Sequence, residues 1–381
     1  MTSMNELNGQ LINAIRCRAG SERHAEIKRL LAAGADPNEA DDKQMTALIH
    51  AVYKFDEEAT RLLLAAGADP NARAGQGTTA LMYVSTVACV DLLLAAGADP
   101  NAQDDCNWTA LMCVARNGQP AAIAALLAAG ADPKVKNSTN GTALIYVILR
   151  GFFDLAKTML DAGADPNAKT TGGFTPLTSN DEIPPWLVER LLQAGADPNL
   201  RGDREWTPLM WAADDDRYHG DDNVELLLAA GADPNLVGPN GETALLRAAY
   251  DTFSAVALER LLQAGADPHA VNQDGETALH IAAAWCGDFT RPITLLLQAG
   301  AQVDAVTPDG ETALMQVAED DESCEAIPLL LQAGADPALR DHKGNTALDH
   351  ALQNNSPKVA ERLRPLSPPP NLEPPNPGEG K

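Results

Sequence analysis

Apolar and polar positions along this chain follow one template, used again and again. A threonine followed by Ala or Pro and then Leu recurs at Thr46, Thr79, Thr109, Thr142, Thr175, Thr207, Thr243, Thr277, Thr312 and Thr346. Each opens a short amphipathic stretch, as in Leu111, Val114 and Ala115. A threonine suits a helix start, because its hydroxyl accepts a hydrogen bond from an otherwise unpaired backbone N–H, and Pro176 and Pro208 fit the first helical position. After a loop that commonly holds a glycine (Gly118, Gly151, Gly287), a leucine-rich stretch such as Leu62-Leu63-Leu64 or Leu226-Leu227-Leu228 predicts a second helix. It closes on Ala-Gly, where the glycine supplies left-handed backbone.

Beyond each second helix stands Gly-Ala-Asp-Pro, in nine copies beginning at Gly34, Gly67, Gly97, Gly130, Gly163, Gly195, Gly231, Gly265 and Gly334. A tenth, degenerate copy runs from Gly300 to Asp304, and successive copies lie 30 to 36 residues apart. Asp-Pro suits a turn, and dipeptides such as Asn240-Gly241, Asp274-Gly275 and Asp309-Gly310 predict a tight finger before the next threonine. A unit this small cannot bury its apolar faces alone, so neighbours must stack as a solenoid of about eleven units in one array. The polar first unit, which lacks the threonine, is expected to cap the N-terminus over residues 1–38. Tandem units fill 39–345, a C-terminal cap spans 346–366, and the proline-rich tail 367–381 is expected to be extended or disordered.

The segment Thr277-Ala278-Leu279-His280-Ile281-Ala282-Ala283 and the Leu-Leu-x-x-Gly-Ala-Asp-x-Asn unit ends resemble the ankyrin repeat, over roughly residues 5 to 366. The resemblance implies an all-α solenoid of paired antiparallel helices with β-hairpin-like fingers, and non-catalytic protein binding on its concave face. Departures are local. Only His280 keeps the signature histidine, the unit from Thr79 to Asn101 is short by about one helical turn, and Asp214 to Asp222 swells a loop.

Charge narrows the partner. Lys and Arg total 28 against 53 acids, a net charge of −25, and setting aside the ten acids of the repeat phrases still leaves −15. Such a field repels nucleic acid and anionic membranes and attracts a protein with a basic surface, although solubility of a leucine-rich array explains the same charge. The six cysteines, Cys17, Cys89, Cys106, Cys113, Cys286 and Cys324, lack metal or redox spacing and point to a reducing compartment. Met1 to Gly20 holds no signal-like apolar core and no stretch is long enough to span a bilayer, so a cytoplasmic monomer is expected, with leaderless export to a host cell as the alternative.

Candidate chemistry is sparse. The seven histidines are scattered over separate units, and the resemblance assigns His280 to internal hydrogen bonds. The glycines are accounted for as helix stops and finger turns, so neither catalytic residues, cofactor nor metal are expected. The acidic runs Asp214-Asp215-Asp216 with Asp221-Asp222, and Glu319 to Glu322, match no calcium loop and read as contacts for a basic partner or as solvated loops. The residue before each threonine lies on a finger, the position that faces partners in ankyrin proteins. Met45, Trp108, Phe174 and Trp206 occupy it and are expected to face solvent, whereas Tyr83, Tyr146 and Trp211, four residues after the threonine, are expected to be buried. At the ends of the first helices stand Tyr53, Asp214, Asp215, Tyr250, Asp251, Trp285, Glu319 and Asp320, with Asp216 just beyond, giving aromatic anchors mixed with carboxylates. An inhibitor or immunity-type protein masking a basic enzyme fits these features. A host-directed bacterial effector and a regulatory subunit of a separately encoded enzyme are the alternatives.

Overall fold

The computed structural model describes residues 4–17, 20–179, 182–214, 220–250, 255–285, 287 and 289–366, with 17, 20 and 21 described by backbone alone. Among these residues the regular structure is helical, and two isolated β-bridges, Ala40 to Thr46 and Val271 to Thr277, are all the strand pairing in the fingers. None of the described helices is long and apolar enough to cross a membrane. The tail 367–381, Asp215, Asp216 and Asp251 lie outside the described residues.

The chain divides into two compact units, Met1–Ile183 with Arg190–Asp197, and Pro184–Glu189 with Pro198–Lys381, where the repeat pattern alone predicts one uniform array. In the first unit the helix pairs include Ala47–Tyr53 with Glu57–Ala65, Ala110–Asn117 with Pro120–Ala128, and Ala143–Leu149 with Phe153–Asp161. In the second they include Pro208–Asp214 with Gly220–Ala229, Ala244–Ala248 with Val256–Gln263, and Ala347–Gln353 with Pro357–Leu363. Within each unit, first helices pack on neighbouring first helices and second helices on second helices, so the core lies between two rows. Leu63, Leu93 and Leu126, one from each successive second helix, are fully buried, and burying such a side chain is worth roughly 1.5–3 kcal/mol.

The threonines act as the sequence predicts at most repeats. Thr46, Thr109, Thr142, Thr207, Thr243 and Thr312 each accept the backbone N–H three residues on, at 3.3–3.4 Å. Thr346 goes further, since the Asp349 side chain also accepts the Thr346 N–H at 2.9 Å and completes a capping box. At Thr277 the imidazole of His280 takes that second role, accepting the Thr277 N–H on Nδ1 at 3.2 Å. Nε2 then faces the carbonyls of Ala305 and Glu311 at 3.0 and 3.2 Å, so the ring is used up inside the fold.

Two threonines depart from the pattern. Thr79 opens only the four-residue 3-10 helix Ala80–Tyr83, and its hydroxyl is buried without a partner. After Thr175 the chain makes a turn instead of a helix, and Thr178, at a position that is apolar in most other repeats, exchanges a 2.9 Å hydroxyl contact with Thr175.

The second helices end as expected. Gly34, Gly67 and their eight counterparts have φ between +86° and +96°, and the bonds Gly34 N–H to Leu31 and Ala35 N–H to Leu30 close a Schellman turn. The asparagine after Gly-Ala-Asp-Pro does something the pattern does not announce. Asn71 donates its side-chain amide to the Gly97 carbonyl at 2.9 Å and accepts the Asp99 N–H at 2.8 Å, both in the following repeat. Asn38, Asn101, Asn167, Asn199 and Asn235 repeat the arrangement. Lys134 and His269 replace asparagine and make no such bond.

Candidate functional site

Five of the fingers are shaped by an Asp or Asn five residues before the threonine, a position held by Ala74, Gly202 and Gly238 in three others. Asp104 Oδ1 accepts the N–H groups of Cys106 and Trp108, both at 2.8 Å, which presents Trp108 beside the first helix. Asp41, Asn137, Asn272 and Asp341 make the equivalent pairs of bonds. Three of these residues also reach the helix position nine residues on: Asp41 meets His50 at 2.9 Å, Asp341 meets His350 at 3.0 Å, and Asn137 Nδ2 donates to the Tyr146 hydroxyl at 2.6 Å.

That helix position therefore faces the fingers. Tyr83, Tyr146 and Trp211 are half-buried there, not enclosed in the core as the sequence suggested, because the residue that follows each, Val84, Val147 and Ala212, is the one that turns inward. Their rings meet aromatic candidates. Tyr83 meets Tyr53 edge-on at 5.9 Å, Tyr146 stacks on Trp108 at 4.6 Å, and Trp211 lies 5.0 Å from Trp206.

The expected finger residues do not share one environment. Met45, Trp108 and Phe174 are half-buried, whereas Trp206 is only 8% exposed, which corrects the expectation that it faces solvent. Trp206 is covered from one side by Trp211 and from another by Arg247, whose guanidinium lies 4.8 Å over its ring. Arg247 also lies 5.2 Å over Tyr250, donates from Nε to Asp214 at 3.0 Å and from Nη2 to the same oxygen, and stands 4.0 Å from Glu242. Asp214 is thus already paired rather than a free rim charge. Burial, opposed by Arg247, raises the Glu242 carboxyl above its ordinary value; burial and then Glu242 raise the Tyr250 phenol.

Among the helix-end candidates, Tyr53 and Trp285 are well exposed at 56% and 64%, and Tyr250 is exposed at the edge of the Arg247 cluster. Glu319 and Asp320 are exposed. Asp320 caps the 3-10 turn Asp321–Glu325, and Glu319 lies 3.3 Å from His350 Nδ1, with Glu311 nearby. The candidates thus gather in separate places: Tyr53 with Trp108, Trp206 with Asp214 and Tyr250, and Glu319 with His350. Met45, Phe174 and Trp285 join none of these clusters.

Tyr53 and Trp108 come together because the repeat between them is short. Where the 3-10 helix Ala80–Tyr83 stops, the missing turn leaves a groove of about 430 Å³ floored by Met82 and Tyr83, with Tyr53 and Phe55 on one side and Trp108 and Arg116 on the other. Cys113 also lines it, and burial pushes that thiol up to about 11, so it is protonated at neutral pH and a poor nucleophile. Phe55, Arg116 and Arg247 were missed in the sequence. The signal for Phe55 was available, since it stands nine residues after its threonine, where Gly118 and Gly151 stand after theirs.

A family model described as ankyrin repeats (3 copies) matches residues 11–104, 84–170, 179–252, 216–301 and 287–371. No curated protein matches the chain. With capped helix pairs, Schellman glycines and finger turns recurring through both units and the family match running over nearly all of it, this chain belongs to the ankyrin-repeat family, whose repeats form protein–protein interaction modules.

Proposed function

We propose that this chain is a non-catalytic, monomeric binding module for a protein with a basic surface, held by the fingers and the exposed ends of the first helices. The observation that supports this reading is the mixture of rings and carboxylates at the fingers and first-helix ends of the repeats. In the second unit the rings of Tyr250 and Trp285 are exposed alongside finger carboxylates Glu276 and Glu311 and helix-end carboxylates Glu319 and Asp320, and in the first unit the Tyr53 ring is exposed at the equivalent helix end. Aromatic anchors supply desolvated contact area, while carboxylates in a chain of net charge −25 steer a cationic surface and repel nucleic acid and anionic membranes. Masking of a basic enzyme by an intracellular inhibitor is the role these features fit best.

The test is affinity capture from lysate of the source cell with the full chain, followed by binding measurements on the purified partner over a range of salt. The reading expects a basic protein whose association slows as salt rises, and slows at low salt in Glu276→Gln/Glu311→Gln/Glu319→Gln. Capture of an acidic partner, or association indifferent to salt and to the triple variant, sinks it.

A further inference from the structure

Phe55 adopts φ +58°, in the left-handed region where Gly118 and Gly151 stand in the matching loops at φ +67° and +72°, and where the last repeat places Asn355 at φ +56°. Bulky side chains rarely take this conformation, and their cost is tolerated mainly where the position serves a function. Here the strained residue keeps its ring 56% exposed at the mouth of the groove that the shortened repeat opens. The opposite wall carries a second unusual feature. Arg116 is exposed with its guanidinium 4.8 Å over Trp108, and among the described residues no carboxylate lies within ion-pair distance of it, in a chain with nearly twice as many acids as bases. A guanidinium held over an indole face by its charge still has N–H donors for contact with a carboxylate. The other charges nearby are engaged: Asp104 Oδ1 holds two finger N–H groups, and Asp105 stands 3.5 Å from Arg73.

We propose that this groove receives from the partner protein a large apolar side chain, packed against Phe55, Tyr53 and Met82, with a neighbouring carboxylate paired to the edge of Arg116. The proposal rests on the protein-binding reading and adds a local chemistry opposite in sign to the partner's overall basic surface. The net charge of −25 favours cations over the chain as a whole, so anion preference at this groove must come locally from Arg116.

The test uses the full chain with labelled methionine methyl and tryptophan indole groups, followed by NMR. The probes are 3-phenylpropanoate, 2-phenylethylammonium and propanoate. Saturable shifts at Met82 and Trp108 with phenylpropanoate, at least threefold tighter than with phenylethylammonium and reversed in Arg116→Gln, are expected. Propanoate alone should shift neither signal at the same concentration. Phe55→Asn, which installs the residue that Asn355 shows to be comfortable in this loop, should weaken phenylpropanoate at least threefold while leaving the melting temperature unchanged or higher. Equal or tighter binding of the ammonium probe, or full affinity in Phe55→Asn, overturns the proposal. So does undiminished capture of the protein partner by Phe55→Asn/Arg116→Gln, an outcome that leaves the protein-binding reading intact. Probe binding by a chain that captures no protein removes that reading, and with it the occupant proposed here.

Discussion

Asp341 accepts a hydrogen bond from His350 Nε2 at 3.0 Å, joining the finger of the last described repeat to its own first helix. Burial by itself would raise the Asp341 carboxyl, but hydrogen bonds from the Asn345 side chain and backbone, from His350 and from the Lys343 N–H outweigh it and hold the group down at about 2, against an ordinary 3.8. A carboxyl depressed in the folded state stabilises fully above its unfolded value and loses that contribution as pH falls toward its folded one. Wild type should therefore exceed Asp341→Asn in melting temperature at pH 5 to 7, and the gap should close between about pH 4 and 2. Thermal melts across that range check it; a gap unchanged at pH 2 would mean that the carboxylate is not what ties the finger down.

The inter-repeat asparagines carry a second expectation. Asn71→Ala removes two hydrogen bonds to the next repeat, to the Gly97 carbonyl and the Asp99 N–H, and should cost about 1–2 kcal/mol in denaturant unfolding. Conversely, Lys134→Asn supplies a missing link and should raise stability by about 1 kcal/mol. Loss of stability in the second variant would show that the neighbouring repeat does not present its carbonyl and N–H in the same way.

Trp108 and Trp206 occupy the same finger position and should respond differently to truncation. Trp206→Ala removes a ring enclosed by Trp211 and Arg247 and should lower stability by about 3 kcal/mol or more. Trp108→Ala should spare more of the fold and weaken the partner by about 2 kcal/mol or more. Asp214→Asn, which unpairs a partly exposed bridge to Arg247, should change stability by less than about 1 kcal/mol. Calorimetry separates these variants, and a Trp206→Ala melt equal to wild type would restore it to the surface.

The C-terminal boundary is testable by truncation. Removing 367–381 should leave the unfolding transition unchanged, since fifteen proline-rich residues offer little apolar area to bury. Removing 346–366 as well should lower it or promote aggregation, because Leu348, Ala351, Val359 and Leu363 are buried and cover the preceding repeat. Identical behaviour of the two truncations would move the cap.

The repeat phrase made the fold legible because its residues act locally. A threonine hydroxyl or a C-terminal glycine needs only its own helix to do its work, so Thr46 and Gly34 could be read one unit at a time. What escaped depends on which neighbour stands opposite. Nothing in the spacing of Trp206 says that Arg247, four residues after the threonine of the next repeat, will cover it, and the same finger position leaves Trp108 half-buried. Likewise Tyr146 reads as core by its place in the helix, yet Asn137 draws its hydroxyl to the finger. Side-chain identity alone does not distinguish a ring that awaits a partner from one that covers its neighbour.

The asparagine links also bear on how such an array opens. Stability in stacked repeats is a sum of local terms and nearest-neighbour couplings, so a weak coupling becomes a place where one block can unfold while the next stays native. Lys134 and His269 mark two such seams: Lys134 lies between the Asn101 and Asn167 junctions, which keep both amide bonds, while His269 follows the intact Asn235 junction and precedes Asp304, whose carboxylate accepts the Asp336 N–H but has no amide to donate. Backbone amides beside these seams are the ones to exchange with solvent through partial openings, and the face they support is one that loosens by segments, so that a partner held across a seam is released in stages rather than in a single cooperative step.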